Sequence, residues 1–84
     1  MPVMTDYGDR FNAAVAAELR AERARKGVTY AEIIKASGIA QSTLQRYLKG
    51  ERDIPLPAFQ DLCRALSVSP RRIFELAEEA IDND

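Results

Sequence analysis

At 84 residues, with 46% hydrophobic and 30% charged residues, the chain is expected to form one small globular domain, residues 1–84. It lacks an apolar run long enough to cross a membrane and a signal peptide with a basic start and an apolar core, so cytoplasmic residence is expected. With one cysteine and no histidine, the chain can form neither an internal disulfide nor a Cys/His zinc site. The net charge of −1 combines −5 in residues 75–84 with 12 basic and 8 acidic residues in residues 1–74, and therefore does not exclude a nucleic-acid partner.

Helical periodicity is the dominant pattern, and no strand-like alternation or hairpin signal accompanies it. The first helix is expected over about residues 9–26, where apolar residues recur every four positions and Gly27 follows as a stop. The second is expected over residues 30–37. It begins with a capping-box pattern, in which the side chains of Thr29 and Glu32 each accept a hydrogen bond from the other's backbone N–H.

The third predicted helix is short, and its start has two interpretations. The helix is expected over residues 41–49, with Gly50 as its stop. Ala40 precedes it, and alanine at the N-cap costs about 1 kcal/mol relative to serine or threonine. The alternative start is Ser42, which forms a second capping-box pattern with Gln45.

The last two helices are expected over about residues 57–66 and 70–81, the latter with Ser69 as cap and Pro70 at its first position. Cys63 lies on the apolar stripe of the fourth helix and is expected to be a buried thiol. The sequence therefore predicts an all-α bundle of five helices.

The third helix has two different sides. Its apolar side carries Leu44, Tyr47 and Leu48. Its polar side carries Gln41, Ser42, Gln45, Arg46 and Lys49. The polar side has no acid, and its amide and guanidinium groups can bond to base edges in the major groove of DNA. A polar helix face can equally be a solvated surface, and the helix alone leaves that choice open.

Residues 19–69 contain a series of motifs in a fixed order. The run begins LRAERARKGVTYAEIIKASGIAQSTLQRYLKGERDIP and continues through FQDLCRALSVSP. The order begins with a basic first helix, a capped second helix and a glycine in the turn. It continues with a third helix that ends in glycine and charged residues, and a fourth helix that ends in Leu-x-Val-Ser. The run resembles the helix-turn-helix domain of the lambda-repressor/Cro-like (Xre-type) transcription regulators. The resemblance implies a compact lambda-repressor-like fold, with the helix-turn-helix at helices 2 and 3.

The resemblance also implies which side chains contact double-stranded DNA. The base-reading candidates are Gln41, Ser42, Gln45 and Arg46. The phosphate candidates are Tyr30, Thr43, Lys49, Arg52 and Arg23. Tyr30 stands where the family often has a phosphate-bonding glutamine, so its hydroxyl takes that role or its ring simply packs. If Ser42 caps the third helix, Gln45 and Arg46 dominate base contact.

One departure from the family pattern concerns Arg23. Many members have a glutamate at the position of Leu48, which pairs with an arginine at the position of Arg23. That pair is absent here. Arg23 is therefore expected to be free to contact Glu22, solvent or DNA.

The function implied is a phage or bacterial repressor- or Cro-like regulator, acting in the bacterial cytoplasm or nucleoid as a homodimer on operator half-sites. Leu76 and Ile81 are the candidates for the dimer interface, with the protein core as the alternative. The acidic residues at 75–84 are expected to face away from DNA, or simply to favour solubility. A chain of 84 residues has no room for a sensor domain, so no small-molecule effector is expected.

The alternative function is a protein-interaction module on the same fold, an antitoxin or adaptor with weak or no DNA binding. The short stretch after the fifth helix favours an adaptor over an antitoxin, which usually adds a toxin-binding segment. Catalysis is not expected, because the sequence has no histidine, no metal-ligand set, no phosphate-binding glycine loop and no base to activate Cys63. No cofactor is therefore predicted.

Overall fold

The computed structural model describes the backbone of residues 2–83 and the side chains of residues 6–83. Within that range the chain forms five helices and no strands, which confirms the all-α prediction. The helices are α1 (Pro2–Lys26), α2 (Tyr30–Ser37), α3 (Gln41–Leu48), α4 (Leu56–Leu66) and α5 (Pro70–Asp82). Asp84, the last of the predicted acidic residues, lies outside the described residues.

The start of α1 was predicted wrongly. It was expected near residue 9, whereas the helix begins at Pro2. Proline suits the first helical position because its missing N–H would have no partner there. Gly8 lies inside the helix, and because glycine is a poor helix former a start after it was expected, although Val3 and Tyr7 continue the four-residue apolar spacing of the sequence. The other helix boundaries agree with the prediction to within about one residue.

All five helices contribute to one core. α1 packs along α5, and α2 packs against α4. The ring of Phe74 lies between two others, stacked 4.7 Å from Phe59 and tilted 5.4 Å from Phe11. Cys63 is buried as predicted, and desolvation raises the pKa of its thiol to about 11. That thiol is uncharged at neutral pH and unsuited to nucleophilic chemistry.

Basic side chains of α1 join the helices to one another. The Lys26 ammonium donates hydrogen bonds of 2.8 Å to the carbonyl oxygens of both Leu66 and Ser67, where α4 ends. The Arg20 guanidinium donates to the Leu48 carbonyl at the end of α3. Both contacts place a cation on carbonyls that lack partners within their own helix, the end at which positive charge stabilises a helix.

None of the five helices combines the length and the apolar content that crossing a membrane requires.

Candidate nucleic-acid interface

The start of α2 is held by the predicted capping box. The Thr29 backbone N–H donates to the Glu32 carboxylate at 2.8 Å, and the Glu32 backbone N–H donates to the Thr29 hydroxyl at 3.1 Å. Hydrogen bonds from the Thr29 backbone and, second, its hydroxyl lower the pKa of the Glu32 carboxyl. This stabilisation is present above the ordinary carboxyl pKa and is lost as the pH falls through the lowered value. The cap fixes the position of the next residue, Tyr30.

The turn between α2 and α3 depends on Gly38 and Ser37. Gly38 has φ 76°, a left-handed conformation that side chains rarely adopt, and its N–H donates to the Ile34 carbonyl at 2.8 Å. The Ser37 hydroxyl donates to the Ile33 carbonyl at 2.7 Å and accepts from the Ile39 N–H at 3.2 Å. The turn therefore has its own hydrogen bonds on both sides of the glycine, which sets the direction in which α3 begins.

The structure decides between the two possible starts of α3. Ala40 occupies the N-cap position with extended backbone and makes no side-chain cap. The helix begins at Gln41, so Ser42 lies within its first turn and is not the cap. Among the described residues, the Ser42 hydroxyl has no hydrogen-bond partner. It is therefore free to bond outside the protein.

The inner side of α3 fixes the helix on the core. Leu44, Tyr47 and Leu48 are buried, as the helical wheel predicts. Beyond the helix, Gly50 has φ 74° and lies close to α1, where an added Cβ would be 3.7 Å from the Ala16 Cβ. Together with the Arg20 bond to the end of α3, this contact gives α3 one defined position on the molecule.

The outer side of α3 is polar and largely exposed. The exposed residues are Gln41, Ser42, Arg46 and Lys49, and the half-buried ones are Thr43 and Gln45. Arg52, in the loop after α3, is exposed as well. The charged groups of Arg46, Lys49 and Arg52 make no hydrogen bond or ion pair with any residue that the structure describes. The outer side of α3 and the loop after it thus form a surface that is fixed on the core, with three cations unpaired among the described residues and no acid on the helix.

Comparison with known proteins decides the family. A family model described as a helix-turn-helix domain matches residues 14–76. The chain belongs to this helix-turn-helix family. The crystal structure of the clp gene regulator ClgR from C. glutamicum is similar with a TM-score of 0.77 and 28% identity, over 83% of this chain and 91% of that chain. The restriction-modification controller protein C.AhdI from Aeromonas hydrophila has a TM-score of 0.67 and 26% identity, over 73% of this chain and 92% of that chain. No curated protein matches.

These findings confirm the lambda-repressor/Cro-like (Xre-type) resemblance and the fold that it implies. The family consists of DNA-binding transcription regulators, and α2 and α3 are the two helices of its motif. The four base-reading candidates all lie on α3, whose exposed side they share with Lys49. Their contacts with bases stay a prediction, as do the phosphate contacts.

The sequence had suggested that Arg23 is free, but the structure shows that it is held within the chain. Its Nη1 donates to the Val28 carbonyl at 3.0 Å, and its guanidinium lies 5.0 Å from the centre of the Tyr30 ring. Glu22 instead pairs with Arg25 and Lys26. Without the family's glutamate at position 48, Arg23 turns to the segment that begins α2. Its cation–π contact fixes the ring of Tyr30, which also packs against the core.

The two candidates for a dimer interface differ in exposure. Ile81 is buried within the chain, 9% exposed, and lies beside α1. Leu76 is half-buried and keeps some apolar surface. The core alternative therefore applies to Ile81, and Leu76 stays the predicted interface residue.

One residue near the interface was not predicted from the sequence. The Asn12 side chain of α1 donates to the Arg52 carbonyl at 3.3 Å and accepts from the Ile54 N–H at 3.1 Å. An asparagine inside a helix is a poor helix former, which was the only available hint. Its partners lie 40 and 42 positions away, beyond the reach of any local pattern.

Proposed function

We propose that the protein is a sequence-specific transcription regulator of the phage or bacterial repressor/Cro type, which acts in the bacterial cytoplasm and binds an operator as a homodimer. One observation carries the proposal: α3 is fixed on the core by its buried side and exposes amide, hydroxyl and unpaired cationic groups on the other. An α-helix fits the major groove of B-DNA, so a rigid helix with such a face can present its side chains to base edges.

Base recognition is assigned to the first turns of α3. Arg46 donates two hydrogen bonds to guanine O6 and N7, the pairing that its planar guanidinium favours. Gln41 and Gln45 match the paired donor and acceptor of adenine N6 and N7. Ser42, with its hydroxyl unused within the described chain, contributes one further bond to a base.

Phosphate contacts fix the register of α3 on the duplex. Side-chain donors come from Thr43 in the first turn of α3, Lys49 at its end and Arg52 in the loop after it. The first N–H groups of α3 have no side-chain cap at Ala40, and the N-terminal end of a helix attracts anions. A phosphate oxygen that accepts from these groups compensates for the missing cap.

One reading helix covers only a few base pairs, so specificity requires two half-sites. Symmetric dimers place their reading helices about 34–36 Å apart, one turn of DNA. Leu76 on α5 is the proposed apolar contact between the subunits. The acidic residues of α5 then face away from the phosphates, which would repel them.

The proposal is tested by selecting bound sites from a pool of random duplexes and titrating the best site against salt. We expect an enriched inverted repeat with half-sites about one helical turn apart. Affinity should fall steeply with salt, because each neutralised phosphate contributes about −0.9 to the slope of log K against log salt. No enriched sequence together with a flat salt dependence would instead support the protein-interaction module.

A further inference from the structure

The loop between α3 and α4, residues 49–55, is held by α1 at two places. Gly50 packs near Ala16, and a Cβ added there would also lie 3.8 Å from the Ala13 Cα. One turn away along α1, Asn12 bonds to the loop backbone on both sides of Asp53. The three residues of the loop between Gly50 and Ile54, Glu51 to Asp53, are all exposed. They would otherwise be free to move, as surface loops commonly are.

Asn12 holds the loop in the way that a neighbouring strand would. Its carboxamide uses a donor and an acceptor together, against the Arg52 carbonyl and the Ile54 N–H. Only asparagine and glutamine offer both groups on one planar end. Ile54 itself packs against the core, and Pro55 restricts it to extended backbone. The hydrogen bonds of Asn12 and the packing of Ile54 therefore both restrict the backbone around Asp53.

Arg52 benefits from this arrangement. Its backbone carbonyl is bound by Asn12, while its side chain is exposed and its guanidinium has no partner among residues 6–83. A phosphate contact made by an arginine on a loop that is already ordered loses less entropy than one made by a mobile loop. The same order fixes the distance between Arg52 and the cations of α3.

We propose that Asn12 is a positioning residue for DNA binding: by bonding to the backbone on both sides of Asp53, it holds Arg52 where its guanidinium meets a phosphate. This inference rests on the proposed function. Asn12 acts through the loop and does not itself contact DNA. α1 thereby contributes to the interface through Asn12, whose side chain contacts the loop and not the DNA.

A double-mutant cycle tests the proposal. The affinity of the selected duplex is measured for the full chain, Asn12→Ala, Arg52→Ala and the double variant, each corrected for its active fraction by stoichiometric titration. We expect each single variant to bind roughly three- to ten-fold more weakly and to have a shallower salt slope. In the double variant, the Asn12 substitution should cost less than about two-fold beyond the loss caused by Arg52→Ala.

Two further measurements separate positioning from a general effect on folding. Amide hydrogen exchange at Ile54 should be faster in Asn12→Ala than in the unchanged chain, and exchange at Leu44 in the core should be unchanged. Asn12→Asp keeps the acceptor for the Ile54 N–H and loses the donor to the Arg52 carbonyl. It replaces Asn12→Ala in the binding measurements if the alanine variant does not fold. Asn12→Gln, which carries both groups, should recover part of the affinity and of the salt slope.

Several outcomes would overturn the proposal. Equal losses from Asn12→Ala with and without Arg52 would mean that Asn12 acts on binding independently of Arg52. An unchanged affinity in Arg52→Ala would remove the contact that Asn12 is meant to position. In both cases specific binding by the unchanged chain would leave the proposed function standing, whereas absence of duplex binding by the unchanged chain would remove both proposals.

Discussion

The C-terminal half of α1 and the outer side of α3, with the loop after it, both carry basic side chains, but the two regions use them differently. The cations in the C-terminal half of α1 are Arg20, Arg23, Arg25 and Lys26, and the interface cations are Arg46, Lys49 and Arg52. Each of these four α1 cations has a partner inside the chain, either a backbone carbonyl or Glu22. No charged group of the interface cations has one among the described residues.

This difference separates two roles that a charge count cannot distinguish. A cation on the carbonyl end of a helix has donors committed to the fold, and it stabilises that helix end. A cation without a partner stays hydrated and can exchange water and counterions for a phosphate. The basic character of α1, which belongs to the family pattern, is thus largely structural in this protein. Arg23 links the two roles, because its contacts lie within the chain but hold Tyr30, which is itself a candidate for phosphate contact.

The largest effect is expected from Arg46. Arg46→Ala should weaken binding to the selected site by about 1–3 kcal/mol and affect random duplex much less, because a bidentate contact to guanine is lost. Thermal stability should be unchanged, since the side chain is exposed. The comparison variant Arg46→Lys keeps the charge and loses the planar fork, so it should lose discrimination as well. Equal losses on both duplexes would make Arg46 a phosphate contact.

Arg20 should show the opposite pattern. Arg20→Met keeps an aliphatic stem and removes the donor to the Leu48 carbonyl, so the free energy of unfolding should fall by about 1 kcal/mol in urea titrations. The salt slope of duplex binding should stay the same. Arg64→Met on α4, where the guanidinium has no partner among the described residues, is the matched control and should leave stability unchanged. A shallower salt slope in Arg20→Met would contradict the division between the two regions.

The next prediction concerns the hydroxyl of Tyr30, the residue whose ring Arg23 holds. Tyr30→Phe keeps the ring under the guanidinium and removes only the hydroxyl, so stability should be nearly unchanged. If the hydroxyl bonds a phosphate, duplex affinity should fall by about 0.5–1.5 kcal/mol on selected and random sequences alike. Unchanged affinity in a filter-binding or anisotropy titration would show that the ring of Tyr30 only packs.

The smallest effects are expected from a matched pair of lysines. Lys26→Met should lower the free energy of unfolding by about 0.5 kcal/mol, because the end of α4 loses its cation, and should leave the salt slope unchanged. Lys49→Met should leave stability unchanged and reduce the magnitude of the salt slope by about 0.9 for each subunit. Chemical denaturation and duplex titration of both variants give all four values. Exchange of the two patterns would contradict the comparison directly.

Much of the fold could be predicted because its signals are local. The capping box of Thr29 and Glu32 and the stop at Gly38 act within a few residues, and the structure confirms both. The two sides of α3 followed from helical periodicity in the same way. The first two turns of α1 escaped prediction because Gly8, a poor helix former, lies inside the helix.

Of the candidate site, the residue types on α3 could be predicted, but the start of the helix could not. Ala40 and Ser42 both fit a start from their neighbours alone. The structure decides for Ala40 because the Leu44 N–H donates to the Ala40 carbonyl at 2.9 Å, a bond that includes Gln41 and Ser42 in the first turn.

The sequence by itself therefore determined an all-α chain, the caps of α2 and α5 and a polar face on α3, because propensity, capping and periodicity operate over three to four residues. Only the tertiary structure decided which cations have no partner among the residues it describes, and which residue holds the loop that carries Arg52. Those outcomes depend on Arg20 reaching Leu48, Lys26 reaching Leu66 and Asn12 reaching Ile54, across 28 to 42 positions of chain. Such contacts exist only once the helices have packed, and no local pattern records them.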